Sequence, residues 1–394
     1  MASIEAELKK LRQEKQFRFL RCLEGATGPE IALDRRVVLN FCSNDYLGLA
    51  ADPRLKVAAI EAAELYGTGA GASRLIAGNF SIHEELEEKL AQFKGTEAAL
   101  LFNSGYQANI GVIPALAGEG DLIFSDELNH ASLIDGCRLS NAKTVIFPHS
   151  DLNALETILK RRMLNRTADS RFLIVSESVF SMEGDLCRLT GLLALAAQYE
   201  AQIYLDEAHA VGIFGRNGTG LIEHIFDREF DVRSHGNLIQ MGTLGKAFGS
   251  YGAFVACSRT MRDYFINKAR SFIFSTALPP PVIAASLEAL SIIREEPNRR
   301  QQLWRHVAFL KDQWGHQAGC YTGASPICPI VIGSEEATML TCEQLLKQGI
   351  YVQGIRPPTV PPGTSRLRLT LMASHTLGQL TQLVSALKAI GQNL

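Results

Sequence analysis

Seven short apolar runs recur between residues 98 and 256, and polar or helical stretches separate them. The helical stretches include Leu152–Arg161 and Leu192–Tyr199. Strands that alternate with helices predict an α/β fold, with a mostly parallel sheet that helices cover on both faces. The predicted strands are Ala98–Phe102, Asp121–Phe124, Thr144–Phe147, Phe172–Ser176, Gln202–Leu205, Leu238–Met241 and Ala253–Ala256.

The length of the chain, 394 residues, exceeds what one ordinary hydrophobic core supports, so we expect two domains of unequal size. Residues 1–45 are predicted to form an amphipathic helix, from Ile4 to about Arg21, and an extended segment. Residues 46–281 form the large domain, and the prolines at 279–281 mark its end. Residues 282–394 form a smaller α+β domain, with predicted elements at Gln301–Trp314, Cys328–Ile332, Glu336–Lys347, Tyr351–Ile355 and Arg366–Leu371.

The composition excludes several classes of protein. Hydrophobic residues make up 46% of the chain and the net charge is -2, so no basic surface for a nucleic acid is expected. No run approaches the roughly 18 consecutive apolar residues of a membrane span, and the charged N-terminal residues do not resemble a signal peptide. Eight scattered cysteines without metal-ligand spacing predict reduced thiols, no metal site and a cytoplasmic enzyme.

Two tetrapeptides place reactive side chains where predicted strands end. Asp206–His209 follows one strand, and Thr243–Lys246 follows another. Open α/β sheets bind their ligands at such ends. A lysine near a carboxylate and an imidazole suits Schiff-base chemistry on pyridoxal 5'-phosphate (PLP), in which the aspartate keeps the pyridine nitrogen protonated. Taken singly, the same residues also fit a strand-end acid, a surface lysine and turn glycines.

Other strand ends carry candidate contacts to this cofactor. Gly105, next to Tyr106, opens the helix after the first predicted strand, where backbone N–H groups can bind a phosphate, and Thr243 is a second donor. His130 follows the second strand, where an imidazole can stack on a pyridine ring or serve as a hydrogen-bonding loop residue. Ser181 follows the fourth strand and is placed to contact the cofactor.

Arg366 and Arg368 alternate along a predicted strand, so their side chains lie on one side of it. One interpretation is an exposed, solvated strand face, which we expect to hold for one of the two. The other is that an arginine binds the α-carboxylate of an amino acid through a bidentate pair.

Two longer motifs, Phe41–Leu49 and the more discriminating Ile355–Thr370, add to these residues. Together they resemble the α-oxoamine synthase family, which consists of PLP-dependent enzymes with the aspartate aminotransferase fold (fold type I). The resemblance runs from about Arg18 to about His375 and is strongest with the branch that uses L-alanine in biotin synthesis. It implies a condensation of L-alanine with a pimeloyl thioester, with loss of carbon dioxide and release of the thiol carrier.

The resemblance also implies roles for single residues. Lys246 would carry PLP as a Schiff base, Asp206 would pair with its pyridine nitrogen, and His209 would contact its phenolic oxygen. His130 would stack on the ring and touch the substrate, and Ser181 would lie against the ring. The cofactor, chiefly its phosphate, would be held by Gly105, Tyr106 and Thr243, and by Ser275 and Thr276 of the neighbouring subunit in a homodimer with shared active sites.

The resemblance assigns further residues to the substrates. Asn44 and Arg368 would position the amino-acid carboxylate, and Arg18 and Thr359 would line the acyl-donor side. Arg21 lies one helical turn from Arg18 and could take its place. The acyl carrier could be coenzyme A or an acyl-carrier protein.

Three other functions fit part of this pattern. A sister condensing enzyme, using glycine with acetyl-CoA or serine with a long acyl-CoA, would share every PLP residue. An aminotransferase would use the same lysine and aspartate, and a non-catalytic partner subunit would be expected to lack Lys246. The residues Arg18, Asn44 and Thr359 favour alanine and a pimeloyl donor.

Overall fold

The computed structural model describes residues 3–14, 16–227, 236–318 and 321–391. Contacts divide the chain into two compact units. The larger unit consists of Asp52–Ser181 and Leu186–Arg300. The smaller unit consists of Met1–Ala51, Met182–Asp185 and Gln301–Leu394. Of the eight cysteines, Cys320 lies outside the described residues.

The division between the units differs from the predicted boundary at residues 281 and 282. Helix Pro280–Glu295 belongs to the larger unit because it packs against helices Pro53–Tyr66 and Ser81–Lys94. The leading residues, which we expected as a separate segment, count with the C-terminal residues because strand Arg36–Asn40 pairs with strand Ile350–Tyr351.

Among the described residues, no helix combines the length and the apolar composition that a membrane span requires. The helices are α1 (Ile4–Gln13), α2 (Pro53–Tyr66), α3 (Ser81–Lys94), α4 (Gly105–Leu116), α5 (Ala131–Leu139), α6 (Leu152–Met163), α7 (Leu189–Gln198), α8 (Leu221–Phe226), α9 (Arg259–Lys268), α10 (Arg270–Ile273), α11 (Pro280–Glu295), α12 (Pro297–Ala318), α13 (Glu335–Lys347) and α14 (Leu377–Gly391). The strands are β1 (Leu23–Glu24), β2 (Glu30–Leu33), β3 (Arg36–Asn40), β4 (Ala98–Phe102), β5 (Leu122–Asp126), β6 (Lys143–Phe147), β7 (Phe172–Glu177), β8 (Ala201–Asp206), β9 (Leu238–Thr243), β10 (Ala253–Cys257), β11 (Ile327–Gly333), β12 (Ile350–Tyr351), β13 (Gln353–Ile355) and β14 (Ser365–Thr370).

The larger unit is built on a sheet of seven described strands in the order β4-β10-β9-β8-β7-β5-β6. Neighbouring strands run parallel from β9 to β6, whereas β10 runs antiparallel to both β4 and β9. The predicted α/β fold with a mostly parallel sheet is therefore confirmed. The direction of β10 was not predicted, because an apolar run indicates burial and carries no information about strand direction.

The core of the larger unit holds the ends of these strands in place. Strands β4, β7 and β10 are buried along their whole lengths, since helices cover both faces of the sheet. Val112 of α4 and Leu133 of α5 pack with Val175 of β7 and Val255 of β10 in one cluster. Each such side chain contributes about 1.5–3 kcal/mol when buried, so the positions of the strand ends are rigidly determined.

The smaller unit contains two sheets, β1-β2-β3-β12 and β11-β14-β13. The predicted strand Tyr351–Ile355 is split between them as β12 and β13. His375 stacks on Phe41, with 4.4 Å between ring centroids, and its Nε2 donates to the Asn40 carbonyl. Burial lowers the pKa of His375 to about 4, so this ring is neutral at pH 7 and supports the segment that begins at Phe41.

Helix α1 ends at Gln13, and the prediction that it continues to Arg21 is wrong. The N–H of Phe17 bonds to the Leu11 carbonyl, and the residues that follow have no regular secondary structure. Leu20, an apolar residue within the predicted helix, is fully exposed. The apolar residues of this stretch recur at helical spacing, but they do not form a buried face, so the spacing did not predict where the helix ends.

Candidate active site

The carboxyl ends of five strands meet at one edge of the large sheet. Strands β5, β7, β8 and β9 are parallel, and β4 shares their direction because both β4 and β9 are antiparallel to β10. The fold therefore gathers the side chains that the sequence placed at strand ends. These are Gly105 after β4, His130 after β5, Ser181 after β7, His209 after β8 and Lys246 after β9.

Lys246 and His209 are in direct contact. The Nζ atom of Lys246 lies 2.7 Å from Nε2 of His209. The turn before Lys246 is held by Thr243, whose hydroxyl donates to the Gly252 carbonyl and accepts the N–H of Gly245. The Thr243 hydroxyl therefore stabilises the turn that positions Lys246.

Asp206 ends β8 as a buried carboxylate, with 6% of its surface exposed. Its Oδ1 accepts the N–H of Ala208 at 2.9 Å, and its Oδ2 accepts Nδ2 of Asn109 at 2.9 Å. The Asp206 carbonyl accepts both the N–H and the hydroxyl of Ser178. Because hydrogen bonds hold the backbone carbonyl and both carboxylate oxygens of Asp206, its side chain is a fixed acceptor at the edge of the sheet.

His130 lies at the N-terminus of α5. Its ring atom Nδ1 accepts the backbone N–H of Ser132 at 3.2 Å, and its backbone N–H donates to the Glu177 carboxylate at 2.6 Å. Burial lowers the pKa of His130; the negative charge of Asp206 opposes this, and the positive charge of Lys246 adds to it. The imidazole is therefore neutral at pH 7 and lies within the electrostatic reach of both predicted catalytic residues.

The N-terminus of α4 is available to an anion. Ser104 caps the helix by accepting the N–H of Gln107. The first-turn N–H groups that begin at Gly105 have no acceptor within the helix, which favours a bound phosphate. The Tyr106 side chain is 46% exposed, and its hydroxyl donates to Asp135.

The remaining cofactor candidates are Ser181, Ser275 and Thr276. Ser181 is buried, with 7% of its surface exposed. Thr276 forms an isolated β-bridge with Ser73 and is exposed, and the preceding Phe274 is 71% exposed. Residues 274–276 therefore lie at the surface of the larger unit, as a contact with a second subunit requires.

The smaller unit holds the predicted carboxylate-binding residues. Arg366 and Arg368 are each only 7% exposed, so the prediction that one of them faces solvent is wrong. Arg368 donates to Asn44 Oδ1 at 3.1 Å and to Thr370 Oγ1 at 3.0 Å, and Arg366 pairs with Glu183 at 3.0 Å. These polar partners make the burial of two guanidinium groups possible. Arg368 and Asn44 are thus in direct contact.

A groove of about 510 Å³ lies in the smaller unit, and apolar side chains, three arginines and one carboxylate, Glu343, line it. The lining includes Arg18, Arg21, Arg356 and Thr359. Arg21 donates to Asp34 at 3.1 Å. Burial lowers the pKa of Arg356, and the charge of Arg18 lowers it further. Two positive charges that repel each other in a groove favour an anionic occupant.

Sequence reasoning missed three buried polar side chains beside the site: Asn109, Ser132 and Tyr204. Asn109 lies within the mainly apolar stretch Ala108–Leu116. A polar residue on a buried helix face needs partners, and this signal could have identified it. Ser132 and Tyr204 give no comparable signal, because serine is common at helix starts and tyrosine in strands.

The side chains present fit PLP. Lys246 supplies an amine, Asp206 a buried acceptor for a protonated ring nitrogen, and the N-terminus of α4 an anion site. Within the described ranges, no group of three or more His, Cys, Asp and Glu side chains could hold a metal ion.

The chain has curated relatives along its whole length. Residues 36–387 match the family described as aminotransferase class I and II. The chain is 50% identical over 396 residues to the 8-amino-7-oxononanoate synthase of Geobacter sulfurreducens, covering 100% of this chain and 98% of the relative. It is 44% identical to the protein of the same name from Lysinibacillus sphaericus, covering 98% and 97%.

Solved structures share the fold. The serine palmitoyltransferase of S. paucimobilis, with PLP and myriocin bound, is 31% identical and has a TM-score of 0.91, covering 99% of this chain and 97% of the other. The 8-amino-7-oxononanoate synthase of Francisella tularensis is 29% identical and has a TM-score of 0.76, covering 90% and 97%. The predicted resemblance and the predicted fold type I architecture are confirmed.

Proposed function

The chain belongs to the class I and II aminotransferase family, and we propose that it is a PLP-dependent acyltransferase that condenses L-alanine with a pimeloyl thioester. The products are 8-amino-7-oxononanoate, carbon dioxide and the free thiol carrier, in biotin synthesis. The observation that carries this proposal is the set of relatives named 8-amino-7-oxononanoate synthase, 44–50% identical over nearly the whole chain.

Bound PLP supplies an electron-withdrawing ring that stabilises a carbanion at the α-carbon of an amino acid. We assign to Lys246 the covalent attachment of the cofactor through Nζ, and afterwards the removal of the α-proton. Its contact with His209, 2.7 Å away, supports this assignment because it fixes the position of Nζ. Asp206, a buried carboxylate, would hold a proton on the ring nitrogen, and His130 would pack on the ring.

We assign the α-carboxylate of alanine to Arg368 and Asn44. The guanidinium of Arg368 is held by Asn44 and Thr370, so its direction is set before a substrate arrives. A buried guanidinium binds a carboxylate through charge-assisted hydrogen bonds, which are about twice as strong as neutral ones. This arrangement would orient the α-carbon of the amino acid.

We assign the acyl donor to the groove of the smaller unit. A pimeloyl group has an apolar chain with a carboxylate at its far end, and the groove combines apolar walls with Arg18 and Arg356. Arg21 is engaged with Asp34, which supports Arg18 as the residue that faces the donor. Thr359 lines the same groove.

The arginine assignment predicts unequal effects of two matched substitutions. Arg18→Ala is expected to raise the KM for the pimeloyl thioester about 10- to 100-fold, because one charge-assisted hydrogen bond is lost, and to leave the KM for alanine unchanged. Arg21→Ala removes the same kind of side chain from the same groove and is the control. Because Arg21 is already paired with Asp34, we expect its KM for the thioester to stay within about threefold of the parent value. Steady-state kinetics measure both. A larger effect of Arg21→Ala would reverse the assignment.

The reaction itself is tested by measuring thiol release with alanine, glycine and serine in turn. We expect a clear preference for alanine, with 8-amino-7-oxononanoate identified by mass. A preference for serine or glycine would instead indicate a sister condensing enzyme. Amino transfer to a keto acid without any thioester would indicate an aminotransferase. Running the assay with both coenzyme A and acyl-carrier-protein thioesters also identifies the carrier.

We further propose a cytoplasmic homodimer with shared active sites. The exposed segment that contains Ser275 and Thr276 supports the dimer, because these residues resemble those that reach a neighbouring subunit's phosphate site in this family. In that arrangement, Ser275 and Thr276 of each subunit would complete the phosphate site that begins at Gly105 of the other subunit.

A further inference from the structure

We propose that Asn109 and Ser132 are positioning residues that link Asp206 to His130 through one chain of hydrogen bonds, and that this relay holds the neutral His130 ring with its proton on Nε2. The relay is Asp206–Asn109–Ser132–His130. The proposal rests on the proposed function only in taking Asp206 and His130 as active-site residues.

The relay is continuous, and its two middle residues are buried. Nδ2 of Asn109 lies 2.9 Å from Oδ2 of Asp206 and 2.8 Å from Oγ of Ser132. Oγ of Ser132 lies 2.7 Å from Nδ1 of His130. Asn109 and Ser132 are 1% and 2% exposed, so water does not compete for the two hydrogen bonds that Asn109 donates.

The orientation of the Asn109 amide is determined by its partners. A carboxylate only accepts, so the nitrogen of the amide must face Asp206. The amide oxygen then faces Tyr204, whose hydroxyl lies 2.8 Å away. Burial raises the pKa of Tyr204, so this hydroxyl keeps its proton and donates it to the amide oxygen. Both N–H donors of the Asn109 amide and its oxygen are thus engaged.

The order of donors and acceptors in the relay also determines the protonation of His130 Nδ1. Asn109 donates to Ser132 Oγ, so the serine hydroxyl can direct its own hydrogen to Nδ1 of His130. The backbone N–H of Ser132 also donates to Nδ1, at 3.2 Å. A nitrogen that accepts two hydrogen bonds carries no proton, so the neutral ring carries its proton on Nε2.

The relay has a consequence for the chemistry of the site. One amide orients both the carboxylate of Asp206 and, through Ser132, the imidazole of His130. At Nε2, His130 presents an N–H donor, so it can hydrogen-bond an oxygen of a substrate there but cannot accept a proton at that atom. His130 is thereby assigned to binding and stabilising an oxygen, and removal of the α-proton is left to Lys246.

The tautomer is measured directly on the full-length protein, before and after PLP is added. Two-bond proton–nitrogen NMR spectra distinguish a protonated from an unprotonated ring nitrogen, and His130→Gln identifies the signal among the nine histidines. We expect Nε2 protonated and Nδ1 unprotonated in both samples. A proton on Nδ1 would overturn the proposal. This measurement needs no substrate, so its result is independent of whether the alanine assay succeeds.

Three variants then test the relay. Ser132→Ala removes the hydroxyl that favours the neutral ring, so the pKa of His130 is expected to rise in an NMR titration, with kcat falling about five- to tenfold. Ser132→Thr restores a hydroxyl and is expected to restore the pKa. Ser140→Ala removes a buried hydroxyl at the other end of α5, where it contacts the Ala117 carbonyl and the Ala142 N–H, and is the control for loss of stability alone.

Asn109→Ala separates the two branches of the relay. It is expected to change both the His130 titration and the pH dependence of the visible spectrum of bound PLP, because it removes a donor to Asp206. Of these two measurements, Ser132→Ala is expected to change the His130 titration and to leave the pH dependence of the PLP spectrum unchanged. The proposal would be overturned by an unchanged His130 titration in Ser132→Ala, or by an effect of Ser140→Ala on that titration equal to the effect of Ser132→Ala.

Discussion

Replacement of Lys246 with alanine is expected to lower turnover by at least about 10⁴-fold, because in the proposed function the reaction loses both the amine that attaches PLP and the base that accepts the α-proton. The loss is measured by thiol release under saturating alanine. Borohydride reduction followed by peptide mass spectrometry provides a second measurement. It is expected to place a PLP-derived label on the peptide that contains Lys246 in the parent and no label there in the variant.

Two further variants separate chemistry from charge. Lys246→Arg keeps a positive charge beside His209, but a guanidinium does not form the Schiff base, so the same loss is expected. Lys160→Ala removes an exposed lysine whose partner is Glu156, and it should leave turnover unchanged. Turnover in Lys246→Ala close to that of the parent would contradict the assignment, as would turnover in Lys246→Arg.

The sequence predicted the part of the site that depends on where strands end. Each apolar run ends in a polar segment, and parallel strands place their carboxyl ends on one edge, so Lys246 and His209 could be expected to approach each other. Their observed separation of 2.7 Å agrees with that expectation. The prediction succeeded because both residues follow long buried strands whose ends leave little freedom.

The rest of the site could not be predicted because it depends on partners that are distant in sequence. Asn109 meets Asp206 across 97 residues, and Arg366 meets Glu183 across 183. No local pattern specifies which buried amide will face a carboxylate. The alternation around Arg366 indicated a strand correctly, but burial depended on a carboxylate from a remote segment.

Replacement of Asp206 with asparagine is expected to lower kcat about 10²- to 10³-fold while the protein remains folded, because a fixed charge that stabilises the transition state is lost. Asparagine has the shape of aspartate, but only one of its two terminal atoms accepts. Ala208 and Asn109 both donate to this side chain, so one of these donors loses its acceptor. Asp263→Asn removes an exposed carboxylate of the same unit and serves as the matched control, with kcat unchanged.

The pH dependence of the Asp206→Asn variant distinguishes loss of that charge from an indirect effect on His130. The negative charge of Asp206 raises the pKa of His130, while burial and Lys246 lower it. The substitution therefore moves the pKa of His130 further down, and the ring stays neutral at pH 7. If the lost activity came from a protonated His130, a higher pH would restore it. We expect no recovery between pH 7 and pH 9, measured as kcat across that range, because raising the pH cannot replace the carboxylate that we propose pairs with the ring nitrogen.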